Sequence, residues 1–540
     1  MAPLVMKRRA DHLIFLFILA ALVWVFAILP PLGLSSNDEG ARYIQMKNFN
    51  LYGSGIIQYP GATLGLKAGE AVKQEGLFVE RGGRLYSTFP PLFTYVSSLF
   101  YPLLGDRVTT FLPLIAFLLS VIALCGTLRL LLQDRPVHYL LLFGFLLASP
   151  VYLHAFRFVE HVPAVCCVVC SLYFLVRYFR VKPSVSNLCV SAALLSIGIF
   201  FRPEVMLLAI PYAGYVSFTL CLQKQAKRAS TVLACSILPI VLYGLLNRRF
   251  YGSTLLLHLF YNSLGFHLSG SQTALAVATV LFSIAIALLG RRSKAEPWLK
   301  GQVYAFTAVL FIPFMLLVSA FSPISGLFLA FPLVLLVFFG ISERVEKLLS
   351  EPFSLGNILF ITTIGFLFLV SWPFANSGAG NVAYCLSVVP FIIAIVAHEE
   401  KSIISARPMV ALVFALLIFS ACYQAYTFKR SIWNYKQYNA ERIQFLKTAT
   451  KPRDIIICDA QPLLEHGGPL FFERTFVVAE SRCELSRYAR LLKEKGIARA
   501  YLWTNFCCLP KDTSFTASSP AVFSSSHGPK NYLFTLSMRP

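Results

Sequence analysis

Apolar runs long enough to cross a bilayer, separated by short basic segments, dominate the chain up to about residue 427. A helix rises 1.5 Å per residue, so roughly 20 apolar residues traverse about 30 Å of hydrocarbon. That criterion predicts spans at 12–34, 108–132, 137–155, 162–178, 184–201, 205–222, 230–246, 272–290, 303–319, 325–341, 356–375, 382–398 and 408–427, thirteen in all. The first lies behind Lys7, Arg8 and Arg9. It is longer than the apolar core of a signal peptide and no small-x-small cleavage site follows it, so it reads as an uncleaved anchor with the N-terminus inside.

Two stretches break this pattern. Residues 35–107 form a long loop on the outer side, within which 90–104 is apolar but short and reads as an interfacial or re-entrant helix. From 428 to 540 the chain is polar. Segments 454–458, 476–479 and 500–503 have the apolar character of buried strands, and 484–495 reads as a helix closed by Gly496. The predicted fold is an all-α polytopic membrane domain over 1–427, followed by a small extracytoplasmic α/β domain over 428–540.

Composition agrees: 57% of residues are hydrophobic and 13% charged, and the mean hydropathy is +0.68. These values exclude a soluble globular enzyme, a disordered chain and a fibrous repeat. The net charge of +22 could suggest a nucleic-acid partner, but its placement argues otherwise. Nineteen Lys and Arg residues fall in the segments and span ends assigned to the cytoplasm, against only Arg157, Arg202, Arg248 and Arg249 in the short outer loops. That is the positive-inside bias of an inner (plasma) membrane protein, with its N-terminus cytoplasmic and its C-terminus extracytoplasmic. The final residues Leu536-Ser537-Met538-Arg539-Pro540 carry no retention signal, which favours a bacterial inner membrane over the endoplasmic reticulum.

The cysteines add little. Nine lie in spans as small apolar residues, including Cys166, Cys167 and Cys170, whose span holds no histidine to complete a metal site. Cys458, Cys483, Cys507 and Cys508 lie in the outer tail, where up to two disulfides with three possible pairings are allowed.

Acidic residues are more informative, because charge at a membrane is costly and usually functional. Asp38, Glu39, Glu160 and Glu204 stand at outer span ends, together with Arg42, Arg157, His161, Arg202, Arg248 and Arg249. One reading is a set of snorkelling residues and helix caps. A second is a polytopic lipid or solute transporter or flippase with an outer charge gate, and a third is a scaffold whose tail binds a partner. No acid falls mid-span, which weakens proton-coupled transport. A fourth reading is sugar transfer from a lipid phosphate. It needs a base for the acceptor hydroxyl and cations for the departing phosphate. Asp38 is the candidate base; Arg202, Arg248 and Arg249 are the candidate phosphate ligands, since arginine is permanently charged and can bind two oxygens at once.

The order of these motifs resembles a family. An apolar span is followed by Asn37-Asp38-Glu39-Gly40-Ala41-Arg42-Tyr43, then Tyr86-Ser87-Thr88-Phe89-Pro90-Pro91-Leu92, then Gly105-Asp106-Arg107 entering a span. Glu160, Phe201-Arg202-Pro203-Glu204 and Tyr251-Gly252-Ser253 follow. The set is similar to the GT-C superfamily of integral-membrane glycosyltransferases, in particular to bacterial relatives of protein O-mannosyltransferase and of the lipid A aminoarabinose transferase. The resemblance covers 1–270 by motif and the remainder by topology.

It implies a hexosyl- or pentosyltransferase that moves a sugar with inversion from a polyprenyl-phosphate donor to an acceptor hydroxyl on a lipid, glycan or protein in the cell envelope. Asp38 and Glu39 become the catalytic pair, with Glu39 orienting Arg42 or the acceptor. Glu160 and His161 become the second-carboxylate or acceptor group, Arg42, Arg202, Arg248 and Arg249 the phosphate ligands, and Tyr43 and Tyr251 the sugar lining. Two positions depart from the family pattern: Phe89 stands where aminoarabinose-type members have a lysine, and Val382-Ala383-Tyr384 where many relatives have an Arg-Tyr pair. No cofactor is required by the sequence, though the outer carboxylates could hold a divalent cation.

Overall fold

A computed structural model of the chain describes residues 20, 24–66, 77–81, 83–132, 137–251, 327, 330–331, 333–334, 351, 353–371, 382–399, 407–458, 467–479, 481–505 and 515–538. The predicted spans at 12–34, 325–341 and 356–375 are described only in part, and those at 272–290 and 303–319 lie outside the described residues.

Polar helix α1 (Asn37–Tyr52) follows the first span. Its start is set by Ser36, whose hydroxyl accepts from the Glu39 amide, and its end by Gly53 at φ +61, whose amide donates to Phe49 O. Those are ordinary helix stop signals, since only glycine adopts the left-handed cap without cost. Helix α2 (Pro91–Leu104) opens on the Pro90-Pro91 pair. A 3-10 turn, Gly105–Arg107, joins it to α3 (Val108–Leu132). The stretch predicted as a short helix over 90–104 is thus a helix of its own, set off from α3 by Gly105 at φ +54.

The apolar bundle continues with α4 (Val137–Leu146), α5 (His161–Arg180), α6 (Val185–Phe201), α7 (Met206–Leu222), α8 (Ala226–Tyr251), α9 (Leu355–Ser371), α10 (Val389–His398) and α11 (Arg407–Thr427). Four stretches among the described residues are long and apolar enough to cross a membrane: Pro91–Leu132, His161–Arg180, Pro203–Leu222 and Ala226–Arg248. Inside the bundle, Ser171 of α5 bonds Ser191 of α6 at 3.0 Å, and Ser191 bonds Tyr212 of α7 at 2.8 Å. Small hydroxyl residues let helices approach and hydrogen-bond where lipid offers no partner.

The segment predicted as one span over 137–155 is broken. Helix α4 stops at Leu146, and after Pro150 a single helical turn, Val151–His154, follows. Proline has no amide hydrogen and disfavours helical geometry in the residue before it. The break has a consequence for the site, because the chain after it carries Arg157 back to α1.

Beyond the bundle lie two sheets. Strands β1 (Ile56–Ile57), β2 (Phe78–Arg81) and β3 (Arg84–Ser87) form an antiparallel sheet in the order β1-β3-β2. The sequence pattern did not predict it. The strands predicted in the tail occur as β4 (Ile455–Cys458), β5 (Thr475–Val478) and β6 (Arg499–Thr504), with β4 parallel to both neighbours. Strands β7 (Phe515–Ala517), β8 (Ala521–Ser525) and β9 (Gly528–Met538) extend the sheet, β9 running antiparallel to β6. A short π-helical segment, Phe428–Trp433, links α11 to helix α12 (Asn434–Ala449). Helix α13 (Arg482–Glu494) is capped by Ser481, whose hydroxyl accepts from the Glu484 amide at 3.2 Å. It buries Leu485, Tyr488, Ala489 and Leu492, the one-face spacing of an amphipathic helix. Cys458 is buried in β4 and Cys483 is exposed at the start of α13, while Cys507 and Cys508 lie outside the described residues.

Helix α1 is held between the bundle and the C-terminal sheet. Ala41 and Ile44 share a core with Ile455, Ile457 and Leu536. The Tyr59 hydroxyl donates to Phe476 O at 2.7 Å. Gly40 passes so close to Gly468 that a Cβ on the latter would lie 3.3 Å from it. Among the described residues, α1 and the stretch after it therefore pack directly on the C-terminal sheet.

Candidate functional site

The charged residues gathered from span ends meet at the buried start of α1 and form two linked groups. In the first, Glu160, just before α5, accepts from Arg42 of α1 through both guanidinium edges, with Nη2 to Oε1 at 2.8 Å and a second bond from Nε. Arg202, between α6 and α7, donates to the same Oε1 at 2.7 Å and to Glu204 at 2.6 Å. Four charges from α1, α5 and the α6–α7 turn thus alternate in sign. Burial alone would raise the Glu160 carboxyl pKa, but the flanking Arg42 and Arg202 hold it at about 2. The face of the Arg42 guanidinium lies 3.7 Å over the Phe89 ring, so Phe89 supplies a π surface.

In the second group, Glu39 is completely buried. Its oxygens accept from Arg157 Nε at 2.9 Å, from the Phe158 amide at 3.2 Å and from the Ser35 hydroxyl. Lys436 of α12 stands 3.7 Å away. Burial would raise this carboxyl too; Lys436 and Arg157 bring it to about 2. Burial pulls the Lys436 ammonium below the ordinary lysine range, and the charge of Glu39 opposes that pull.

Asp38 differs from its neighbours. Its side chain is 53% exposed, whereas those of Glu39, Glu160 and Glu204 are at most 2% exposed. Its carboxylate stands 3.9 Å from Arg42 Nη1, too far for a hydrogen bond. That Nη1 is buried and has no hydrogen-bond partner among the described residues. An exposed carboxylate and a buried, fixed donor with spare capacity therefore stand side by side.

The other predicted site residues are placed as follows. Glu39, expected to act beside Asp38 and to orient Arg42 or the acceptor, pairs with Arg157 and Lys436. Tyr43 is 1% exposed and donates its hydroxyl to Asp106, which also accepts from Tyr101 at 3.2 Å, so it faces a polar anchor rather than an open surface. His161 is buried edge-to-face against His154 with ring centroids 4.7 Å apart. Arg248 projects from α8 as an exposed side chain, and the side chains of Arg249 and Tyr251 lie outside the described residues. Among the described residues no group of three or more His, Cys, Asp and Glu side chains is placed to hold a metal ion. Reading from sequence missed Lys436, which lies far down the chain and resembles any surface lysine of a polar helix.

Comparison with known proteins adds to this geometry. Residues 88–246 match the family model described as dolichyl-phosphate-mannose-protein mannosyltransferase. ArnT from Cupriavidus metallidurans, solved bound to undecaprenyl phosphate, matches with a TM-score of 0.50 at 13% identity, over 96% of this chain and 97% of that one. The apo oligosaccharyltransferase of Archaeoglobus fulgidus has a TM-score of 0.46 at 13% identity, over 91% of this chain and 69% of that one. No curated protein matches the sequence. Residues 88–246 are thus similar to a mannosyltransferase family domain, and the fold along nearly the whole chain is similar to that of ArnT.

Proposed function

We propose that the protein transfers a sugar from a polyprenyl-phosphate-linked donor to an acceptor hydroxyl at the extracytoplasmic membrane face. The observation that carries this reading is the pairing of exposed Asp38 with the buried, unsatisfied Nη1 of Arg42. The undecaprenyl phosphate bound to ArnT supplies the class of donor.

In this mechanism Asp38 accepts the proton of the acceptor hydroxyl as its oxygen attacks the anomeric carbon. The bond from that carbon to the phosphate oxygen breaks, inverting the centre, and the lipid phosphate leaves with the electron pair. Arg42 meets the charge developing on that phosphate through Nη1, with Arg202 behind Glu160 adding positive potential. A donor fixed in place before the reaction stabilises a leaving anion without having to reorganise. Phosphate is already a competent leaving group, so one carboxylate is enough where a glycosidase needs two. Glu160 holds the two arginines in register and keeps two buried cations from repelling each other. Glu39 acts through structure, by fixing the first turn of α1.

The test is transfer by membranes carrying wild type or Asp38→Asn, given a labelled polyprenyl-phosphate sugar. Transfer by wild type and its loss in the variant are expected. Undiminished transfer by Asp38→Asn removes Asp38 from the mechanism. Absence of transfer by wild type from any such donor removes the reading itself and favours a transporter.

A further inference from the structure

We infer that Lys436, on the helix that follows the last span, is a positioning residue: through Glu39 and the segment 33–36 it sets the place of Asp38. The inference rests on the glycosyltransferase reading above.

Lys436 is fully buried although it lies on a polar helix. Its Nζ donates to Gly33 O at 2.8 Å and stands 3.7 Å from Glu39 Oε2. Almost one turn further along α12, Asn439 donates to Leu34 O at 2.7 Å. Gly33 itself lies against the α12 backbone, where a Cβ would fall 2.0 Å from Lys436 O. Helix α12 thereby grips successive residues of the strap leading into α1. The strap ends at Ser36, which caps α1 and also accepts from Arg157 Nη2 at 2.8 Å. Asp38 is two residues on, in the first turn. That turn cannot shift without unpairing Lys436, Asn439 or Arg157.

Charge explains why a lysine occupies this position. A buried ammonium is unfavourable unless it is paired, so stem packing alone would be met better by methionine or leucine. Here one buried carboxylate, Glu39, faces two cations, Arg157 and Lys436. Neutralising Glu39 leaves buried Lys436 and partly exposed Arg157 with no shared counter-charge, and neutralising Lys436 as well removes the buried one. A charge role therefore predicts that the second substitution repairs the first. Packing alone predicts that the two losses add.

The experiment compares wild type, Lys436→Met, Glu39→Gln and the double variant as full-length membrane protein. It measures kcat and donor KM with a labelled polyprenyl-phosphate sugar, and melting in detergent. Lys436→Met is expected to lower kcat at least about 10-fold while donor KM stays within about 3-fold, because the phosphate contact belongs to Arg42. Glu39→Gln loses more, and adding Lys436→Met to it restores kcat by about 10-fold or more and raises the melting temperature, a coupling of the size seen between contacting groups. Additive losses, or wild-type kcat in Lys436→Met, overturn the inference while leaving the glycosyltransferase reading standing. Should Lys436→Met fail to fold, recovery in the double variant still supports the inference, and equal failure of both overturns it. Absence of transfer by wild type ends the reading and the inference together.

Discussion

Replacing Glu160 with glutamine tests the site at its most connected point. The substitution keeps the shape of the side chain and removes the one negative charge that Arg42 and Arg202 share. The native carboxyl sits at about 2 against an ordinary 4.5, although burial opposes the charged form. At about 1.4 kcal/mol per pH unit, that difference corresponds to about 3 kcal/mol. Direct experience with buried ion pairs gives a similar size, about 3–5 kcal/mol when one partner is removed and the other stays buried. If the loss falls on the ordered site, transfer should drop by about two orders of magnitude, since about 1.4 kcal/mol is a factor of ten in rate. The assay is initial-rate transfer with a labelled lipid-phosphate sugar, alongside thermal unfolding in detergent. Donor KM should rise, because Arg42 Nη1 loses its fixed direction. Wild-type rate, KM and melting in Glu160→Gln would refute the claim that this carboxylate organises the two arginines.

Further outcomes follow from other contacts. Asp38→Asn should abolish transfer yet leave melting within about 0.5 kcal/mol of wild type, as expected for an exposed residue without a strong partner; equal loss of fold and activity would contradict the role of base. Phe89→Leu should weaken the surface beneath the Arg42 guanidinium by about 1–2 kcal/mol and cut transfer roughly 5- to 30-fold, while Phe89→Lys should do worse by setting a like charge beside Arg42. Gly33→Ala should disrupt the contact with α12, because its new Cβ has backbone rather than a flexible side chain in its way; a melting temperature equal to wild type would deny that contact. Acid should loosen the site in a defined direction. The carboxyls of Glu39 and Glu160 lie lower in the folded chain than in the unfolded one, so their stabilisation is complete above pH about 4.5 and is lost as pH falls towards 2. Melting measured across that range, with Glu160→Gln showing a shallower fall than wild type, checks the sign.

Sequence by itself determined the apolar frame and the pool of candidate residues. Hydropathy is a property of consecutive residues, so 108–132 was legible as Val108–Leu132 to the residue, and the amphipathic helix after Ser481 was equally plain. Proline is also local, yet the break after Pro150 was hidden by the apolar residues on either side of it. The short sheet of β1, β2 and β3 was invisible because its strands are stabilised by cross-strand pairing, not by their own pattern. Scarcity of acid near the membrane singled out Asp38, Glu39, Glu160 and Glu204 together. Only the tertiary structure separated them. It closed Arg42 onto Glu160 across 118 residues and brought Lys436 to Glu39 from the far side of the last span, leaving Asp38 exposed. Pairing and burial of charge depend on which distant segments meet, and chain-local chemistry does not encode that directly. Asp38 and Glu39 are adjacent and of the same type, yet one faces solvent and the other four polar partners, because successive helical positions point about 100° apart.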